Sequence, residues 1–416
     1  MSAALARLIA LTSFHVGHIP GVSVVAVSSQ VYNSLSIMFE WLGIGHLVEL
    51  SGTEAIWGFL TPLAAFAGFF VLQLVVPGRW VPGYVVNPET GEPRRYRLNG
   101  LLVFIVVVIL WYFELTGMPR DWFYRSTLYA VAGGTVVTLI LAIIAVYSQP
   151  PGEEKNPLLA LWIGRAQELS FFNQRIDIKM YFYVVGGTML VLNGWSAVAY
   201  HYDRFGDNSN PGVVLYTAFF TWYIVDYFVF ERVQLYTYDL IHERMGFKMF
   251  WGGLLIYGWM FTIPLWGMAV HPDPGFSGPG RYVWLIGASV SFLFGWSMSR
   301  GAAMQKYTFK RWPDRKFLGL IEPEYIEAGD RKLLVSGFWG LARHMNYGGE
   351  GFISLGMALA FGHFTNLWAW TYFIFVVIMF TTRERYDNKF CEEKYGPEKW
   401  AEYKARVKYR IYPWIY

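Results

Sequence analysis

The 416-residue chain holds a single cysteine, Cys391, so neither an intramolecular disulfide nor a cysteine-built metal site is possible. Charge is scarce too. Asp, Glu, Lys and Arg make up 15% of the residues, too few for the wetted surface of an ordinary soluble enzyme. Neither common nucleotide loop occurs: no Gly-x-Gly-x-x-Gly follows a strand pattern, and no Gly-x-x-x-x-Gly-Lys-Ser/Thr is present. A nucleotide would need a pocket of another design. Low-complexity segments and repeats are missing, and the first residues lack a basic start with a small-residue cleavage site, which predicts no removable signal peptide. His15 and His18 stand three apart with no further ligand cluster, which argues against a metal enzyme.

What remains is apolar: 55% of the residues are hydrophobic and 19% aromatic. This composition predicts an all-α, multi-pass membrane protein. Windows 56–76, 100–117, 127–147, 180–200, 213–231, 247–269 and 281–299 each approach the roughly 20 apolar residues that a spanning helix needs. Residues 24–48 form a weaker window carrying Glu40 and His46, and 351–382 is long enough for two short spans hinged near "GHFTN". The expectation is about ten spans. Basic residues alternate between loops as topology demands: Arg79, Arg94, Arg95 and Arg97 in one, Lys155, Arg165, Arg175 and Lys179 in the next but one, then Arg232, Arg244 and Lys248, then Lys306 to Lys316. With ten spans both termini lie on the cytoplasmic side. The net charge of +4 then reflects topology, and no nucleic-acid motif accompanies it. The expected division is 1–299, spans one to eight with a substrate-side cavity, and 300–416, a cofactor region with the last two spans and a basic tail.

Ionisable groups inside a bilayer are costly and so mark function. "TWYIVDYFVFERVQLYTYDL" carries Asp226, Glu231 and Asp239, with Tyr223 one helical turn before Asp226. The plainer reading of Glu231 and Asp239 is solvated groups at a helix end. Further on, "GAAMQKYTFKRW" sets Gln305, Lys306, Lys310 and Arg311 just past a span, where basic residues also serve as topological anchors. In "RERYDNKFCEEKYG" Arg383 and Asp387 share a helical face, as in an ordinary i,i+4 ion pair. "GFWGLARHMNYGGE" adds Arg343, His344, Asn346 and Tyr347. These clusters fall on one membrane face with Trp339, Tyr347, Tyr395, Trp400, Tyr403 and Tyr409 interleaved. Arg forks, Lys point charges and flat rings together suit a large anionic, aromatic ligand such as a dinucleotide.

"LLVSGFWGLARHMNYGGE" resembles the pattern Leu-Leu-x-Ser-Gly-Trp-Trp-Gly, Arg-His-x-Asn-Tyr of the sterol reductases, the family of C14, C7 and C24 reductases and the lamin B receptor membrane domain. The closing "KYGPEKWAEYKARVKYRIYPWIY", the upstream "VPGRWVPGYVVNPETGEPRRYRLNG" and "QKYTFK" are similar to that family in the same order, so the likeness runs from about residue 76 to 416. It implies ten spans and NADPH-dependent reduction of a sterol double bond, at C14 or C7, in the endoplasmic reticulum of a eukaryote or the inner membrane of a bacterium. It further implies that Lys306, Lys310, Arg311, Leu334, Trp339, Arg343, His344, Asn346, Tyr347, Arg383, Asp387, Lys394 and Tyr395 hold the cofactor. Tyr223, Asp226, Glu231 and Asp387 are the candidates for acid catalysis.

The chain also departs from the family. Glu168, Leu169, Asp177 and Lys179 match a family segment, but Ser170, Phe171 and Phe172 replace its Asn-Pro-Arg; Glu231 and Arg232 stand for paired glutamates, and Phe338 and Trp339 for Trp-Trp. Two other classes were weighed. A membrane S-adenosylmethionine-dependent methyltransferase of the isoprenylcysteine type shares a related Arg-His-x-x-Tyr element on a shorter chain. A silent scaffold like part of the lamin B receptor would carry a basic extension before the spans.

Overall fold

The computed structural model describes residues 36–87, 90–152, 156–329 and 331–416. The described chain is mostly helical, with three two-stranded antiparallel hairpins between helices. Helices dominate because an apolar run in lipid must satisfy every backbone N–H within its own segment. Helix α1 (Gly52–Val75) leads into the hairpin β1 (Arg79–Val86) and β2 (Pro93–Leu98), followed by α2 (Gly100–Tyr112) and α3 (Thr127–Tyr147). A second hairpin, β3 (Ser170–Phe171) with β4 (Ile176–Asp177), feeds α4 (Ile178–Phe205). Then come α5 (Pro211–Val229), α6 (Phe247–Met268) and α7 (Gly278–Arg311). The third hairpin, β5 (Tyr325–Ala328) with β6 (Arg331–Leu334), precedes α8 (Met345–Ala360), α9 (Leu367–Tyr395) and α10 (Pro397–Arg406).

Six described helices, α1 and α3 to α7, are long and apolar enough to cross a membrane, and α2 is apolar but shorter. All seven windows expected from hydropathy overlap these helices, although 100–117 runs five residues past the end of α2 at Tyr112 into a turn. The stretch 351–382 turns at "GHFTN": Gly362 sits at φ 71°, a backbone open to glycine, and the Asn366 side chain accepts the Trp368 N–H at 3.0 Å to start α9. Residues 24–35 of the weak window, together with His15, His18 and Lys155, lie outside the described residues.

Two compact units emerge. One contains the described residues through Ser209 and Phe220–Pro272; the other contains Asn210–Phe219 and Asp273–Tyr416. In the first, α4 is the most deeply buried helix. The middle of α6, Trp251–Met260, widens into a π-helix, and Asn193 of α4 donates to the Gly258 carbonyl there at 2.9 Å. In the second, α7 and α8 approach backbone to backbone, since a Cβ at Gly295, Gly349 or Gly356 would strike the facing helix.

Candidate active site

In the second unit the motif "SGFWG" is strapped to α7. The Gln305 amide donates to the Ser336 carbonyl and accepts from the Phe338 N–H, both at 2.9 Å. Gly337, at φ 59°, lets the loop pass over Gln305 where a Cβ would collide with its amide. Trp339 is then fixed by its indole N–H on the Ala302 carbonyl at 2.9 Å, and the Lys306 ammonium lies 4.8 Å from the centre of its ring. Tyr347 donates its hydroxyl to Asp387 and stacks between His344, at 4.9 Å, and Phe380, at 4.4 Å. Lys394 lies over the Tyr395 ring at 5.4 Å, and Tyr395 in turn packs against the small core around Trp400 and Tyr403.

The charge here is lopsided. Burial, followed by Lys306, Arg343, Arg383 and Arg410, lowers the pKa of His344 to about 3, so its ring is neutral at physiological pH. Burial raises the Cys391 thiol to about 11, with Asp387 pushing the same way and Lys306 and Lys394 opposing. Lys310 shares the field of Lys306 and Lys394. Glu384 and Asp387 are the carboxylates among these cations. Holding so many cations together is unfavourable without an anion to offset them. Moreover, the Arg343 Nε, His344 Nε2, Asn346 Oδ1 and Glu384 Oε1 atoms are buried with no hydrogen-bonding partner among the described residues. Buried polar atoms without partners are rare in native proteins and call for an explanation.

The tail closes this region. The Arg343 and His344 N–H groups donate to the carbonyls of Tyr409 and Arg410 at 3.0 and 2.8 Å, while the Arg410 guanidinium reaches Glu384 at 3.4 Å. The glycines of "NYGGEG" are packing residues rather than a phosphate loop: Gly348 and Gly351 admit Ile411 and Tyr412, and Gly349 faces the α7 backbone at Gly295 and Ser299. Arg410 and Glu384 were not singled out by the sequence pattern; the only signal was the likeness of the tail as a whole. Leu334 is buried at the end of β6 beside Gln305, and Arg311 turns to stack over Trp312 at 4.7 Å.

The first unit holds the remaining candidates. The Tyr223 and Tyr227 hydroxyls are 2.7 Å apart and their rings stack at 4.5 Å, with Asp226 half-buried on the same helix. Glu231 is 5% exposed, not solvated, and both its oxygens accept the Gly100 N–H at 3.2 Å. Asp239, by contrast, is exposed. Burial raises the Glu231 pKa to about 7, against the Gly100 bond and Arg79. The segment "RYRLNG" explains its own composition: Arg97 and Asn99 cap the end of α1 by donating to the carbonyls of Gln73 and Val76. Arg94 pairs with Glu168 at 3.2 Å and Asp177 at 3.4 Å, and the buried Lys179 reaches Glu168 at 3.3 Å and the Leu240 carbonyl at 3.0 Å. Burial and Glu168 raise Asp177 to about 6 in spite of Arg94 and Lys179. Of the departing residues, Ser170 and Phe171 make up β3 and Phe172 opens the hairpin turn at φ 52°, with both Phe171 and Phe172 edge-on to Phe70.

A family model described as the Ergosterol biosynthesis ERG4/ERG24 family matches residues 6–416. A Delta(14)-sterol reductase of Arabidopsis thaliana is 32% identical over 364 residues, covering 84% of this chain and 94% of that protein. Another from Methylotuvimicrobium alcaliphilum is 31% identical over 374 residues, covering 85% and 82%. The Delta(14)-sterol reductase TM7SF2 of Mus musculus is 26% identical over 390 residues, covering 88% of each. With nearly its whole length matched, this chain belongs to the ergosterol biosynthesis ERG4/ERG24 family.

Proposed function

We propose that the chain reduces the C14 double bond of a sterol, with NADPH bound at the basic region around Lys306, Trp339, Arg343, Tyr347 and Arg383. The observation that carries this reading is the set of buried polar atoms at Arg343, His344 and Asn346 that lack partners among the described residues inside a field of cations. They fit a dinucleotide: phosphate oxygens for the guanidinium, amide and hydroxyl groups for the imidazole and the amide oxygen, and ring faces for Trp339 and Tyr347. The methyltransferase alternative fits less well, because S-adenosylmethionine carries a positive sulfonium and no phosphate.

An isolated alkene accepts hydride only after it is made electrophilic, so the site must first deliver a proton to one alkene carbon and leave a tertiary carbocation on the sterol. NADPH, when bound, supplies hydride chemistry. We assign the proton to Tyr223, whose phenol carries an O–H to donate; the Tyr227 hydroxyl is placed to donate to the oxygen left charged when that proton departs. Asp226 and Glu231 are the reserve donors. Asp387 holds the Tyr347 hydroxyl and so fixes a flat wall between His344 and Phe380. Water that would capture the cation has to be kept out, a task a site within membrane helices suits.

The test is incubation of purified protein with NADPH and a panel of diene sterols, read by mass spectrometry. Loss of the C14 double bond is expected, and reduction only at another position overturns the C14 assignment. Tyr223→Phe should bind NADPH normally yet turn over more slowly by on the order of 10²-fold. Turnover at the wild-type rate moves the proton to Asp226, Glu231 or a bound water.

A further inference from the structure

Helix α9 carries two neighbouring rows of polar side chains beyond its apolar stretch. Arg383 and Asp387 form one, in which Asp387 accepts the Tyr347 hydroxyl. Glu384 and Asn388 form the other and meet α10 and the tail: Asn388 accepts the Trp400 indole N–H at 3.1 Å, and Glu384 accepts from the Arg410 guanidinium at 3.4 Å. The two ends of that ion pair differ in their surroundings. The Glu384 side chain is 1% exposed and that of Arg410 46%.

A carboxylate buried this deeply contributes little to stability unless it is fully paired. The ion pair of Glu384 is long, its partner is half in water, and its Oε1 atom has no hydrogen-bond partner among the described residues. What Glu384 supplies is position. Burial and then Arg410 lower the pKa of Arg343 while Glu384 opposes them, so the field of this one carboxylate reaches both guanidinium groups. The buried Arg343 Nε likewise lacks a partner among the described residues. Arg410 belongs to the stretch whose Tyr409 and Arg410 carbonyls accept the Arg343 and His344 N–H groups. Val407 and Ile411 are buried on either side of it, and the Arg410 guanidinium also donates to the Tyr416 hydroxyl at 3.1 Å. Glu384 thus stands where the backbone and the side chain of Arg343 can both be held.

We propose that Glu384 is a positioning residue for the cofactor: through Arg410 it latches the tail onto the backbone of Arg343 and His344, and its charge orients the Arg343 guanidinium toward the nucleotide phosphates. Given the nucleotide reading of this region, on which the latch rests, docking of the tail and binding of NADPH are coupled, each favouring the other. The sign of the effect separates the latch from charge alone. Removing a negative charge from a basic region tightens an anion through the field, whereas releasing the latch loosens it.

The test compares the full-length wild type with Glu384→Gln, which keeps the size of the side chain. Limited trypsin digestion without nucleotide, read by mass spectrometry as release of the peptide that follows the exposed Lys408, reports docking of the tail. Calorimetric titration with NADPH reports the site. Expected in Glu384→Gln are release several-fold faster, NADPH affinity about tenfold weaker, and a raised KM for NADPH with kcat and the sterol KM near wild type. NADPH should slow release from the wild type. Equal release rates overturn the latch, and unchanged or tighter NADPH binding overturns the positioning role. A wild type that binds no NADPH overturns the nucleotide reading and the positioning role with it, a failure seen without any variant. Arg410→Gln, at the exposed end of the pair, should reproduce both changes and serves where Glu384→Gln fails to fold; normal release and binding by Arg410→Gln also overturn the latch.

Discussion

Two charged clusters in this protein invite comparison. In the first unit, Arg94, Glu168, Asp177 and Lys179 meet each other, every charge with an opposite one within 3.4 Å. In the second, Lys306, Lys310, Arg343, Arg383, Lys394 and Arg410 gather near Glu384 and Asp387, and buried polar atoms at Arg343, His344 and Asn346 have no hydrogen-bond partner among the described residues. In the first cluster the charges balance one another, although Arg94 Nε also lacks a hydrogen-bond partner among the described residues, and the ion pairs hold a β-hairpin to the start of α4. The second leaves buried polar atoms without partners among the described residues, which the proposed nucleotide would satisfy. A buried charge that is paired specifies a fold; a buried charge left open, surrounded by others of its sign, specifies a ligand.

The comparison breaks most sharply at Lys179. Lys179→Ala takes one of two cations from Glu168 and leaves Arg94 alone to serve Glu168 and Asp177, so the cost should fall at or below the low end of the ~3 to 5 kcal/mol typical of breaking a buried pair. Thermal unfolding in detergent should show a drop in midpoint, and an unchanged midpoint would mean that the paired cluster is not structural. The NADPH affinity of the molecules that remain folded should stay near wild type.

Glu231 gives an effect of similar size, and its sign is set by its raised pKa. In the folded protein it keeps its proton up to about pH 7, whereas the ordinary value is 4.5. Its stabilising contribution is therefore fully present below about pH 4.5 and is lost as pH rises through 7, roughly 3 kcal/mol in all. Glu231→Gln should flatten the fall in melting temperature between pH 5 and 8 while keeping an acceptor for the Gly100 N–H. Parallel curves for the two proteins would place the titration elsewhere.

The open cluster should behave in the opposite way. Arg383→Ala removes one cation from a crowd, so stability should hold or rise while NADPH affinity falls at least tenfold, ~1.4 kcal/mol or more. Trp339→Ala should also weaken binding, through the lost ring face. Normal binding by both folded variants would move the pocket away from this region.

Much of this architecture was readable in the sequence because membrane physics is coarse: a run of apolar residues spans, and "GHFTN" turns because Gly362 and Asn366 can take the backbone and capping roles it demands. The motif residues Trp339, Arg343, His344, Tyr347 and Asp387 could likewise be named in advance from their pattern. Glu231 could not be placed so easily, since nothing local to it shows that its partner is the N–H of Gly100, 131 positions away. Arg410 and Glu384 were hidden for a similar reason. Their meeting depends on the tail folding back across Gly348 and Gly351, where the information lies in the absence of side chains.

The central claim is that the open cluster in the second unit is a phosphate-rich nucleotide site. Calorimetric titration of the purified protein with NADPH and with NADH tests it directly. Saturable binding is predicted, with NADPH much tighter than NADH because an additional phosphate meets additional cations. Equal affinity for the two nucleotides, or tight binding of S-adenosylmethionine in place of either, would contradict it.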